Sequence, residues 1–216
     1  MIFGRIDYLN LLPFYLFLKR YHNHLLRLST AKKGPPSAIN RLFKTRRIDA
    51  GFISSIKSRG QRGANLGIIA RGPVTSVLVL EGEFTKDPES DTSNALARLL
   101  GLQGRVAIGD KALKLYCEGA KAVDLAERWQ QQTGMPFVFA RLCFNNHGQR
   151  IRRLEKQFLR HMTRRIPQTV LKQKAAQSGI HPEAIVAYLQ RIDYRLDRKA
   201  ERGLKKFLFL TRHLNA

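Results

Sequence analysis

Apolar and polar positions alternate along this chain in two rhythms. Residues 2–8 read as a strand, with every second side chain apolar. Pro13 then stands where a helix begins, because its missing N–H costs nothing in a first turn. Phe14, Phe17, Leu18 and Tyr21 come next at helical spacing. After the Gly34-Pro35-Pro36 loop, Ser37 is placed to cap a helix carrying Ile39, Leu42 and Phe43. Residues 48–53 form an apolar strand, with Ser54 and Ser55 placed to cap the next segment. Residues 66–70 and 74–80 read as strands around a Gly72-Pro73 turn.

The middle of the chain repeats this alternation in shorter pieces. Residues 85–91 read as loop. A helix opens at Thr92 or Ser93 and runs to Leu100, where Gly101 can end it. A strand at 105–108 leads into a helix at 109–117, then an extended segment at 122–125 and a helix at 126–133 stopped by Gly134. Residues 136–144 are a second long apolar strand. From about residue 147 onward everything reads as helix: 150–165, 167–177, 182–196 and 199–214. Strands alternating with helices predict α/β layers with mostly parallel sheets.

Charge changes this picture. The 216-residue chain carries a net charge of +23. Residues 1–76 hold 14 Lys and Arg against 2 Asp and Glu, residues 77–140 hold 7 against 9, and residues 141–216 hold 18 against 5. A basic, then near-neutral, then basic chain predicts an inserted domain. The expected division is a discontinuous basic lobe of residues 1–76 plus 145–216, and a smaller inserted lobe of residues 77–144. The two long strands at 74–80 and 136–144 fall where the charge switches and are expected to cross between the lobes, with the ligand cleft between them. The basicity also raises nucleic acid as a partner. However, an RNA-binding face interleaves aromatics with its basic residues. Here Leu204, Phe207, Leu208 and Thr211 share one helical face and read as core. No nucleic acid is expected.

Other classes are excluded more simply. Cys117 and Cys143 have neither metal-ligand nor disulfide-framework spacing, so a reducing cytoplasm is the expected location. The apolar run at 9–18 is broken by Asn10 and Pro13 and followed by Lys19 and Arg20, unlike a signal peptide. No apolar run approaches a membrane span, so no membrane is expected. No Gly-x-Ser-x-Gly elbow, Walker loop or dinucleotide fingerprint is present. His181-Pro182-Glu183 matches the start of a deaminase signature, but no Pro-Cys-x-x-Cys comes after it. His22 and His24 have no partner cluster, and no metal is expected. Oligomeric state is not legible.

The candidate chemistry lies instead in small and amide-bearing residues at strand ends. Asn10 can donate and accept at once. Ser76 stands after the Gly72-Pro73 turn. Ser54, Ser55, Thr92 and Ser93 precede or open helices, where unpaired N–H groups and the helix dipole favour an anion. Each also has an ordinary structural reading as a cap or a turn, and Asp110 reads first as a cap.

Taken in order, these segments resemble the chorismate dehydratase family of the futalosine route to menaquinone. The resemblance rests on Tyr8-Leu9-Asn10-x-x-Pro13-Phe14, on Arg47-Ile48-Asp49-Ala50 with Ser54 after it, and on Gly72-Pro73-Val74-x-Ser76-Val77. It continues through Ser90-x-Thr92-Ser93, Ile108-Gly109-Asp110-x-Ala112-Leu113, Asp124-Leu125-x-x-x-Trp129, Thr133-Gly134-x-Pro136-Phe137-Val138-Phe139-Ala140 and Tyr188-Leu189-x-x-Ile192-Asp193-Tyr194-x-Leu196. Arg71 stands where the family often has an acid, and Asp91 where it often has a base.

The resemblance implies a two-lobed fold like the periplasmic solute-binding proteins of the second type. It implies a carbon–oxygen lyase that removes water from chorismate to give 3-[(1-carboxyvinyl)oxy]benzoate, with no cofactor. Asn10 and Ser76 would be catalytic, with Ser54, Ser55, Gly72, Thr92, Ser93, Gly109 and Asp110 binding the substrate. A non-catalytic small-anion-binding protein of the same fold is the alternative. The related naphthoate synthase is disfavoured, because its Ser-Pro-Cys-Pro-Asn-Asp segment is missing.

Overall fold

The strands gather into two sheets, with the chain passing from one to the other and back. A computed structural model describes residues 1–22 and 31–212. The first run holds β1 (Phe3–Arg5), a 3-10 turn (Leu9–Leu11), α1 (Leu12–Tyr21), β2 (Ala31–Lys33), α2 (Pro36–Lys44), β3 (Ala50–Ser54), a second 3-10 turn (Ser55–Ser58) and β4 (Gly63–Ala70). The middle run holds β5 (Val77–Leu80), α3 (Asp91–Leu99), β6 (Arg105–Ile108), α4 (Gly109–Cys117), β7 (Ala122–Asp124) and α5 (Leu125–Thr133). The last holds β8 (Phe137–Phe144), α6 (Gly148–His161), α7 (Gln168–Ser178), α8 (Pro182–Gln190), β9 (Ile192–Arg195) and α9 (Arg198–Leu210).

A six-stranded sheet has the order β2-β1-β3-β8-β4-β9, and a three-stranded sheet the order β6-β5-β7. The expectation of mostly parallel pairing is not met. Among the described strands, β1 with β2 and β1 with β3 run parallel, and the other strand pairs are antiparallel. The reason is topological. A chain that returns from another sheet enters from the opposite end, so β8 runs against both β3 and β4.

Neither long strand crosses between the sheets. β5 lies wholly in the small sheet and β8 wholly in the large one, between β3 and β4. The crossings are made by residues 71–76 and 134–136, outside any strand. The strand assigned from its sequence to the inserted segment therefore packs with the basic part of the chain.

The all-helical reading of the C-terminal part fails at one place. Ile192, Tyr194 and Leu196 are buried while Arg195 is exposed, a period-two pattern that continues the large sheet as β9 beside β4. The 182–196 segment is thus a helix and then a strand. The expected helix end at Leu214 lies outside the described residues.

Local chemistry explains most boundaries. Pro13 sits in the first turn of α1. Ser37 makes no cap bond, because Pro35 holds the cap position of α2. The Ser90 hydroxyl accepts from Ser93 N at the start of α3, and Gly134 ends α5 at φ +65°, a conformation that costs glycine little. The large sheet is sealed by an aromatic cluster. Phe14 meets Phe52 at 5.0 Å and Phe158 at 5.2 Å between ring centroids, and Phe158 meets Tyr194 at 5.3 Å. Each such fully buried ring contributes about 2–3 kcal/mol of burial free energy.

Candidate active site

Where the two sheets face each other, the first residues of several helical segments converge on one narrow cavity. Its polar lining comprises Tyr8, Asn10, Ser54, Ser76, Ser90, Ser93 and the Gly109 backbone, and its walls are apolar, including Phe52, Val77, Ile108 and Phe139. No lysine, arginine, aspartate or glutamate lines it among the described residues. A second, larger depression of about 1020 Å³ opens beyond the Leu9–Asp110 contact. It is rimmed by solvated charges such as Lys111, Lys114 and Lys174, and it contains none of Asn10, Ser54, Ser76 or Ser93. The size of that depression reflects an open groove; the convergent donors are in the smaller cavity.

Asn10 is held from below. It sits in a 3-10 turn closed by Leu11 N donating to the Tyr8 carbonyl at 3.0 Å. Its own carbonyl accepts from the Tyr194 hydroxyl at 2.7 Å. The backbone being fixed, the carboxamide projects to the cavity. Ser76 lies where the chain enters the small sheet, and its carbonyl accepts from Gly109 N at 2.8 Å. Just before it, Thr75 adopts φ +60°, which is rare for a β-branched residue. That conformation is secured by Asp124, whose carboxylate accepts from Val74 N at 2.8 Å and Thr75 N at 2.5 Å. The other Asp124 oxygen caps α5 through Ala126 N and Glu127 N, at 2.9 and 3.0 Å. Burial raises the Asp124 pKa, while these four donors counter it.

Ser54 is oriented by Asn40, whose Nδ2 donates to its hydroxyl at 2.7 Å, leaving the Ser54 proton to point elsewhere. Ser93 accepts from the Ser90 hydroxyl at 2.8 Å and so keeps its own proton to offer. The Asn10 carboxamide and the Ser76 hydroxyl make no hydrogen bond of good geometry with the described protein groups.

Four of the expected contact residues are placed away from the cavity wall. The Ser55 hydroxyl donates to the Val138 carbonyl and ties the second 3-10 turn to β8. Thr92 accepts from Ile56 N at 3.2 Å, a bond between α3 and the second 3-10 turn. Gly72 lies in the crossing segment and does not line the cavity, and Asp110 lines the outer groove instead. Asp110 Oδ1 accepts from Leu9 N at 3.0 Å. His22 Nε2 pairs with Gln157 Oε1 at 2.8 Å, and His24 lies outside the described residues. Arg71 reaches Asp193 at 2.6 Å and Asp197 at 2.9 Å, while Asp91 pairs with Lys57 at 2.9 Å. The two departures from the family pattern therefore carry surface ion pairs.

Two other residues at the site, Tyr8 and Ser90, stand out in the sequence only as a motif member and as a cap. The Tyr8 hydroxyl donates to Glu89 across the junction, and burial raises its pKa. Ser90, three residues before Ser93, is both cap and cavity wall. A sharper reading of the cap position, with its acid in the first turn, would have found it.

Gly109 opens α4 at φ +66° against the Tyr8 ring; an added Cβ would stand 2.9 Å from Tyr8 Cζ. Gly109→Ala is expected to cost about 1–3 kcal/mol from strain and displaced packing, read as a lowered Tm. An unchanged Tm would show that the Tyr8 ring is not packed against Gly109 as described.

Burial also pushes the Asp110 pKa up to about 6, with Leu9 N and Lys174 opposing. The folded chain then holds a proton that the unfolded chain loses near pH 4, so this stability is present at low pH and is lost as pH rises from about 4 to about 6. Asparagine keeps an acceptor for Leu9 N without the charge. Asp110→Asn is expected to flatten that slope and to stabilise the chain at pH 8 by about 1–2 kcal/mol. Melting curves at pH 4 and pH 8 check this, and parallel slopes for both proteins would contradict it.

The chain matches a family model described as menaquinone biosynthesis over residues 1–105 and 97–213. It is 41% identical over 226 residues to the chorismate dehydratase of Campylobacter jejuni, covering 100% of this chain and 99% of the relative. It is 25% identical over 259 residues to the chorismate dehydratase of Thermus thermophilus, covering 90% and 94%. Among solved structures it resembles a Candida albicans protein exhibiting the generic periplasmic binding protein fold, with a TM-score of 0.55 and 10% identity over 98% of this chain and 89% of the other. With its fold that of the periplasmic binding proteins and its sequence matched end to end by both a family model and a full-length relative, the chain belongs to the menaquinone biosynthesis family that includes the chorismate dehydratases.

Proposed function

We propose that this protein is a hydro-lyase that converts chorismate to 3-[(1-carboxyvinyl)oxy]benzoate in the cytoplasm, on the futalosine route to menaquinone. One observation carries the reading beyond family membership. The cavity presents serine hydroxyls, a free carboxamide and helix starts in place of cations. A dicarboxylate can be gripped this way with its charge facing N–H dipoles, and apolar walls keep water from the reacting ring. The two cysteines are unpaired, in keeping with a reducing compartment.

In the reaction the ring carbon bearing the enolpyruvyl ether loses its proton, and the neighbouring carbon loses hydroxide. The proton and hydroxide leave as water, and the ring becomes aromatic. Aromatisation supplies the driving force, so the protein's task is to hold one conformer and stabilise developing charge. We assign the proton's first acceptor to the substrate's own side-chain carboxylate, since no acid side chain lines the cavity among the described residues. Asn10 orients the enolpyruvyl group, Ser76 holds the leaving oxygen, and Ser93 with Ser90 binds a carboxylate at the start of α3. Ser54 offers its proton from the opposite wall.

The two sheets are the cores of two lobes that meet at residues 71–76 and 134–136. The contacts Tyr8–Glu89, Leu9–Asp110, Ile56–Thr92 and Lys57–Asp91 hold them together around the cavity. Opening of these contacts admits chorismate.

The test is direct. Purified protein incubated with chorismate and no added cofactor should yield a benzoate product, seen by absorbance and by mass. Chorismate that raises the Tm but is recovered unchanged would favour the non-catalytic binding protein.

A further inference from the structure

Three buried side-chain atoms have no hydrogen-bond partner among the described residues: Trp129 Nε1, Arg164 Nε and the Tyr188 hydroxyl. Trp129 sits in an aromatic cluster with Phe137 and Phe207, and Arg164 is anchored through Nη2 to the Ile192 carbonyl at 2.8 Å. Tyr188 differs because of its neighbours. Its hydroxyl lies beside the Ser76 hydroxyl and the Asn10 carboxamide, near enough for both to ease its ionisation yet without hydrogen-bond geometry to either. These are the two cavity side chains that lack other protein partners. Burial dominates, however, and together with the fields of Asp110 and Asp124 it holds the phenol protonated. It is therefore a donor.

An unpaired hydroxyl in a protein interior destabilises the fold, and phenylalanine would fill the same space without that cost. Tyr188 is 2% exposed, so solvent does not satisfy the oxygen either. A fold that keeps such a group beside two cavity side chains is keeping stability in reserve for function.

We propose that Tyr188 is a positioning residue for the dehydration: with substrate bound, its hydroxyl donates to Ser76 Oγ and turns the Ser76 proton toward the leaving hydroxyl. Tyr188 keeps its own proton throughout. The hydroxide that departs is neutralised by the proton taken from the ring, so the balance of the reaction is unchanged. The role rests on the proposed reaction at this cavity, and it predicts that removing one oxygen atom harms turnover without harming the fold.

The experiment compares Tyr188→Phe, Ser76→Ala and the double variant in kcat, KM and Tm. Tyr188→Phe is expected to lower kcat about tenfold or more with KM changed less than about threefold, and to leave Tm equal or higher. In the Ser76→Ala background the same change is expected to cost little further activity, because both act on one contact. Wild-type kcat in Tyr188→Phe overturns the inference. So does a lowered Tm with activity lost in proportion to folded protein, which would make the hydroxyl structural. Independent, multiplicative losses in the double variant also overturn it. A wild-type chain inert toward chorismate would instead defeat the proposed reaction. The Tyr188 role falls with it, whereas an active wild type beside a Tyr188→Phe variant of unchanged kcat overturns the Tyr188 role alone.

Discussion

Replacing Asp124 with alanine is expected to destabilise the chain by about 3 kcal/mol, lowering Tm by about 6–12 °C for a protein of this size. The donors it serves give the reason. One carboxylate oxygen serves Val74 N and Thr75 N in the crossing segment, and the other serves Ala126 N and Glu127 N at the start of α5. Losing the helix cap alone costs about 1 kcal/mol. Leaving the two crossing-segment N–H groups buried and unpaired adds about 1–3 kcal/mol each, partly offset because the charge of Asp124 is itself expensive to bury. Asp124→Asn separates the contributions. An asparagine has one acceptor oxygen for two pairs of donors, so it should retain one end of the bridge and fall between wild type and alanine. Thermal melts of the two variants check this. An alanine variant as stable as wild type would mean that the bridge holds nothing. Activity should fall further than stability, because Thr75 loses its anchor and Ser76 moves out of place with it.

The second large effect is expected in turnover. Asn10→Ala and Ser76→Ala should each lower kcat by at least about tenfold, about 1.4 kcal/mol in the barrier, and toward the hundredfold typical of a lost donor to developing charge. Both side chains lack good hydrogen bonds to the described protein, so their removal should leave Tm within about 2 °C. This contrast separates them from Ser55, whose hydroxyl bonds the Val138 carbonyl and whose loss should appear in Tm first. Steady-state kinetics on folded, Tm-matched variants are the measurement. Unchanged kcat in both would remove Asn10 and Ser76 from the mechanism.

Much of this site is legible in the residues. Asn10, Ser54, Ser76, Ser93 and Gly109 stand out as donors at strand ends, and all five line the cavity. They are legible because hydroxyls, amides and glycine before a helix carry a local chemical preference whatever the rest of the chain does. Ser55 and Thr92 stand in the same company with the same local credentials, yet their hydroxyls serve Val138 and Ile56. In each of those serine and threonine pairs, neighbouring side chains point different ways, and the direction is set by elements far along the chain. Tyr188 stands out only as a member of a family motif, with no sign of a role at the site. It occupies an ordinary buried position of an amphipathic helix, and only contact with residues 178 and 112 positions away makes its hydroxyl notable.

The same division runs through the fold. Punctuation by proline, glycine and capping residues located α1, α3, α4 and α5 to within a few residues, since helix ends are governed by groups within one turn. The reversal of charge along the chain suggested an inserted middle but could not say which sheet β8 joins, because net charge is a property of composition and not of strand pairing. Strand direction and sheet membership were decided only in three dimensions. β8 looked like a connection yet fills the centre of the large sheet, and β9 hid inside a helical stretch until β4 offered it an edge. A strand's partners satisfy its backbone from a distance, so neither its neighbours nor the faces its side chains choose are written in its own few residues.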